Sequence, residues 1–148
     1  MNKDIRMKPI KGHKSLRSGG HSHVGYVYHL TFTTKDRQKY FSKFALARQF
    51  INVLKRDEAL GLTKTPAFVV MPDHVHWLVE LVSGSLNRAV KRIKSVFTKY
   101  AGLAVWGYGF HDHGIRSDES LINVASYIVA NPLRAGLFNR MGSYSHWD

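Results

Sequence analysis

With 148 residues, 44% of them hydrophobic, the chain is sized for one core, so a single compact domain is expected. Lys and Arg number 22 against 10 Asp and Glu, a formal charge of +12, which makes a polyanion the expected partner, nucleic acid before an anionic membrane surface. The absence of cysteine excludes disulfides, thiolate zinc centres and cysteine nucleophiles together, and with no apolar run near the roughly 18 residues of a membrane span and no signal-like N-terminus, a cytoplasmic protein without a membrane partner is expected.

Residues 1–23 carry Lys3, Arg6, Lys8, Lys11, Lys14 and Arg17 with Gly12, Gly19 and Gly20 interspersed, the composition of a flexible basic arm. Residues 24–148 then form the domain. Val24 to Thr34 is rich in β-branched and aromatic residues and predicts a strand. Between Phe44 and Leu60, Leu46, Phe50, Val53 and Leu54 recur at helical steps, and Gly61 is a plausible stop. Ala67–Met71 and His74–Val82 read as two strands of a hairpin turning at Pro72-Asp73. From Ser85 the pattern is helical again, with Leu86, Ala89, Val90, Ile93, Phe97 and Tyr100 on one face and Gly102 at the end. The aromatic and glycine-rich stretch Val105–Arg116 holds a short fourth strand. A last helix is capped by Ser117 or Asp118 and expected to stop at Ala130 or Asn131, because Pro132 disfavours helical geometry in the residue before it. The order β-α-β-β-α-β plus a helix predicts an α+β, ferredoxin-like antiparallel sheet with two helices on one face and an added C-terminal helix.

His74 and His76 flank one apolar residue on a predicted strand, so alternation places both imidazoles on one sheet face and Val75, Trp77 and Val79 on the other. Two neighbouring imidazoles suit a cation, yet taken alone the spacing is more often just two histidines sharing an exposed face. The same spacing recurs at His21/His23 and His111/His113; the hydrophobic frame around His74 and His76 is what distinguishes that pair. Tyr127 and Asn131, four apart on the last helix, share a face: a phenol able to act as a nucleophile and an amide able to act as an oxygen ligand, or a packed tyrosine and an ordinary helix terminator. Arg88, Lys91, Arg92 and Lys99, with Lys94, form a basic helix surface without balancing acids between Ser85 and Tyr100, suited to a phosphate backbone or simply to solvent.

Taken in order, Ser15-Leu16-Arg17, Tyr28-His29-Leu30-Thr31-Phe32-Thr33, Met71-Pro72-Asp73-His74-Val75-His76, Ile115-Arg116-Ser117-Asp118-Glu119 and Tyr127-Ile128-Val129-Ala130-Asn131-Pro132 resemble the REP-associated tyrosine transposases, which belong with the single-tyrosine HUH transposases of the smallest insertion sequences. Trp106–His113 and Ser143–Trp147 resemble two further signatures of that family. The resemblance implies that His74, His76 and Asn131 hold a divalent metal, Mg²⁺ or Mn²⁺. It further implies that Tyr127 attacks single-stranded DNA beside a hairpin through a 5′-phosphotyrosine, in a monomer or homodimer. Arg17, Arg88, Lys91, Arg92 and Lys99 are the expected DNA contacts. Val129-Ala130 departs from the bulkier or polar pair expected between the tyrosine and the asparagine. Two alternatives stay open: a non-catalytic nucleic-acid binder, and a replication-initiator-like HUH nickase, against which the absence of a helicase part argues.

Overall fold

A computed structural model describes residues 22–115 and 118–134; Arg17, His21, most of the basic arm and the segment 143–147 lie outside the described residues. The elements are β1 (Val27–Thr33), α1 (Phe44–Ala59), β2 (Thr63–Met71), β3 (His74–Leu81), α2 (Leu86–Ala101), β4 (His111–Gly114) and α3 (Asp118–Arg134). The sheet order is β2-β3-β1-β4, with every neighbouring pair antiparallel. Each helical crossover therefore skips one strand: β3 lies between β1 and β2, and β1 lies between β3 and β4. That interlocked pair of split β-α-β units is the ferredoxin-like arrangement expected from the element order.

Alternation along the strands divides the sheet into two faces. Tyr28, Leu30 and Phe32 of β1 and Val75, Trp77, Val79 and Leu81 of β3 point to α1 and α2, where they meet Phe50, Ile51, Leu54, Leu86, Val90, Ile93 and Phe97 in the main core. Each such side chain contributes about 1.5–3 kcal/mol of burial free energy. Trp106, from the segment before β4, plugs into this core with ring centroids 5.2–5.6 Å from Phe32, Phe41, Phe50 and Phe97. The opposite face carries a smaller cluster, in which Leu121 and Ile128 of α3 pack on Val27, Val69, Met71, Leu78 and Ile115, flanked by Val124 and Ala125. The spacing of those α3 residues is one helical stripe.

Some boundaries differ from expectation for identifiable reasons. β2 starts at Thr63 rather than Ala67, because it is an edge strand and a register shift between Lys64 and Ala67 accommodates Pro66. α3 continues past Pro132 to Arg134: proline biases its predecessor away from helix without forbidding it, and the packed stripe at Leu121 and Ile128 holds the helix to the sheet. Tyr100, expected on the apolar face of α2, is 55% exposed and lies under the Arg56 guanidinium at 5.8 Å. Ser22 and His23, assigned to the arm, bond into the domain: Leu86 N donates to Ser22 Oγ and His23 N to Tyr28 Oη, both at 2.9 Å.

Arg92, grouped by sequence with the phosphate-contacting residues, is committed to the fold. Its Nε and a terminal nitrogen donate to the two oxygens of buried Asp57 at 2.6 and 3.0 Å, and Thr63 Oγ1 donates to the same carboxylate at 2.6 Å. The balancing acid comes from α1, where inspection of α2 alone could not find it. Removing the guanidinium would strand a buried carboxylate, at a cost of about 3–5 kcal/mol.

Candidate metal and nucleophile site

The site is built on the sheet face opposite α1 and α2. The β1–β3 register sets Thr33 opposite His74, Thr31 opposite His76 and His29 opposite Leu78; the β1–β4 register sets His113 opposite His29 and His111 opposite Thr31. Directly paired residues share a face, so His29, His74, His76, His111 and His113 all lie on the side covered in part by α3. The His111/His113 pair, which sequence left without a supporting strand, proves to be β4 itself. His23 precedes β1.

His74 and His76 are adjacent, with ring centroids 5.0 Å apart and planes at 82°. In each ring Nδ1 is already engaged. His74 Nδ1 donates to Asp73 Oδ1 at 2.7 Å, a direction fixed because a carboxylate only accepts. His76 Nδ1 meets His29 Nε2 at 3.0 Å and Thr31 Oγ1 at 3.3 Å. Nε2 of each ring is the nitrogen left for a further ligand. Burial, then the neighbouring His74 and His29, push His76 down to about 3; burial, then His113, lower His29. His76 is therefore neutral near pH 7, the state in which imidazole offers a lone pair.

The turn that carries His74 is clamped from the β1–α1 connection. Thr34 N and Phe41 N donate to the carbonyls of Asp73 and Pro72, both at 3.0 Å, and Thr34 Oγ1 reaches the Asp73 carbonyl at 3.2 Å. Arg37 Nε donates to Asp73 Oδ2 at 3.0 Å, with Asp36 and Arg37 both held in the left-handed region at φ 55° and 54°, a conformation costing about 1–2 kcal/mol per residue. Burial raises the Asp73 carboxyl, but hydrogen bonds from His74 and Arg37 outweigh it and lower the net value. Asp73 is thus an ionised anchor for the His74 ring. Exposed Lys35, Arg37, Lys39 and Lys43 make this connection a basic rim at the His74 end of the sheet.

Tyr127 lies on α3, beside Ile128 of the packed stripe, and is 46% exposed. The helix carrying it packs on the same sheet face as the imidazoles. Asn131 belongs to α3 by its backbone, and its side chain lies outside the described residues. Among the described residues no three His, Cys, Asp or Glu side chains converge to hold a metal ion. Arg88, Lys91 and Lys99 are solvent-facing on α2, across the sheet from His74 and His76. Sequence reasoning missed His29, Thr31, Asp73 and the rim. The signal for His29 was present, since alternation in β1 sets it opposite Tyr28 and Leu30, but its meeting with His76 depends on a register between strands far apart in the chain.

The chain thus combines a ferredoxin-like sheet, a His-x-His pair on a central strand and a tyrosine-bearing helix on the same face. Residues 22–131 match the model of the IS200-like transposases, and the chain belongs to that family. Within it, the chain is similar to REP-associated tyrosine transposases. It is 28% identical over 130 residues to a Haemophilus influenzae protein named as one, covering 76% of this chain and 73% of that protein. It also superposes on a solved REP-associated tyrosine transposase bound to a REP hairpin, with TM-score 0.68 and 26% identity over 83% of this chain and 76% of the other. A Deinococcus radiodurans structure described as a transposase shares the fold, with TM-score 0.54 and 20% identity over 74% of this chain and 93% of that one. Among the described residues no helix is long and apolar enough to cross a membrane.

Proposed function

We propose that this transposase cleaves and rejoins single-stranded DNA beside a hairpin through a covalent bond to Tyr127, with Mg²⁺ or Mn²⁺ held by His74, His76 and Asn131. The observation that carries the reading is the pair of adjacent imidazoles, each with Nδ1 engaged and Nε2 left over, on the sheet face against which α3, the helix of Tyr127, packs. The donor set fits a divalent cation. A metal-binding histidine characteristically gives its second nitrogen to a carboxylate or another polar group, as Asp73 does for His74 and His29 with Thr31 do for His76. A hard ion accepts two imidazoles and an amide when phosphate oxygens and water complete its shell. When bound, the ion neutralises charge on the phosphate oxygens as the reaction proceeds.

The chain's own residues do the rest. Tyr127 Oη attacks the phosphorus, the bond to the 3′ oxygen breaks, and a 5′-phosphotyrosine and a 3′-hydroxyl result. The phenol proton is released and the departing 3′ oxygen takes one up. A phenol is a weak nucleophile toward a phosphodiester, so most of the rate must come from alignment and electrostatic stabilisation. Because the phosphodiester is exchanged for a phosphotyrosine, a second DNA end can be joined without ATP. Lys35, Lys39 and Lys43 border the catalytic face, while Arg88, Lys91 and Lys99 would meet phosphates farther away, on the helical side, with Arg17 as a further contact.

Incubation with end-labelled hairpins bearing single-stranded flanks, with and without Mg²⁺, tests the reading on a denaturing gel. A metal-dependent protein–DNA adduct is expected. Tight binding with no adduct under any metal would instead identify a non-catalytic nucleic-acid binder.

A further inference from the structure

The segment facing β1 pairs with it at two levels, Thr31 with His111 and Thr34 with Trp106. Between them β1 advances from 31 to 34, three residues, while the facing segment runs from 106 to 111, five residues, so two residues bulge out. The bulge is firmly fixed. Gly107 N donates to Thr33 O at 2.9 Å and Lys35 N to Val105 O at 2.8 Å, and Trp106 is locked among four phenylalanines. From α2, Lys94 Nζ donates to the carbonyls of both Gly107 and Gly109, at 3.2 and 2.7 Å.

Both glycines suit this path. A Cβ at Gly107 would sit 3.2 Å from Thr33 O and 3.3 Å from Thr34 O, and Gly109 has φ +74°, open to a residue without a side chain. Between them stands Tyr108, fully exposed, beside the strand end whose Thr33 pairs with His74. An immobilised backbone presenting a bare aromatic ring is an unusual use of apolar surface. Bulges next to active sites commonly serve to re-aim one side chain, and with the backbone already fixed only the two side-chain torsions of an aromatic residue remain to be ordered when a base stacks on it.

We propose that Tyr108 is a base-stacking residue: its ring takes an unpaired base of the single strand entering the His74 end of the site, with the basic rim at Lys35 and Lys39 tracking the adjoining phosphates. This rests on the DNA-cleaving role of the same site. Stacking of this kind tolerates any base, so the contact sets the path of the strand and leaves sequence choice to other contacts.

The test compares the full-length wild-type chain with Tyr108→Ala, Tyr108→Phe and Tyr108→Trp, using oligothymidylate and a hairpin with a thymidine flank. Tyr108→Ala should bind oligothymidylate roughly 5- to 150-fold more weakly, with Phe and Trp close to wild type. An abasic scan of the flank should find one position where base loss weakens wild type but not Tyr108→Ala. Affinity unchanged in Tyr108→Ala, or lost equally in all three variants, would overturn the proposal while the Tyr127 adduct still forms in wild type. If wild type forms neither complex nor adduct, the transposase reading falls first and takes this contact with it.

Discussion

Tyr127→Phe will bind hairpin DNA as wild type does and will form no covalent adduct. The substitution removes one oxygen from a half-exposed side chain, and the apolar stripe of Leu121, Val124, Ala125 and Ile128 that seats α3 is untouched. The nucleophile is lost while the seat of the helix is kept. No positioning effect can substitute for it, because the phosphorus must exchange one oxygen for another. Binding measured by gel shift beside adduct formation on a denaturing gel separates the two properties. An adduct that persists in Tyr127→Phe removes Tyr127 from the chemistry.

His74→Ala and His76→Ala will each lower cleavage by more than about 100-fold, beyond the 10- to 100-fold typical for loss of a group that merely orients a metal ligand. Both side chains lie on the face away from the main core, whose β3 contribution is Val75, Trp77, Val79 and Leu81. Circular dichroism and thermal melting should therefore be close to wild type. His76→Ala also frees His29 Nε2 and Thr31 Oγ1 and should show the larger change in melting. Cleavage at wild-type rates in both variants would remove the metal assignment.

Period-two alternation was enough to place His74 and His76 together and to turn Val75 and Trp77 toward the core, because a strand's two faces depend only on its own sequence. The element order led to the sheet arrangement by the same local reasoning. Partners brought in from distant segments were not readable. Asp73 is beside His74 in the chain, but its role depends on a turn clamped by Thr34 and Phe41; His29 reaches His76 only through the β1–β3 register. Arg92 looked like a surface cation because Asp57 lies on another helix. β4 was hard to delimit since its four residues, His-Asp-His-Gly, lack the β-branched composition that marks a strand. They pair because β1 offers an open edge.

The arrangement as a whole turns on whether a cation sits between His74 and His76 and orients DNA toward the phenol. Crystals of the wild-type chain with Mn²⁺ and a hairpin bearing a single-stranded flank locate the ion by its anomalous scattering. The expected result is one peak about 2 Å from Nε2 of both rings, with a backbone phosphate between the ion and Tyr127 Oη. An ion bound elsewhere, or a Tyr127 ring turned away from that phosphate, would contradict the account.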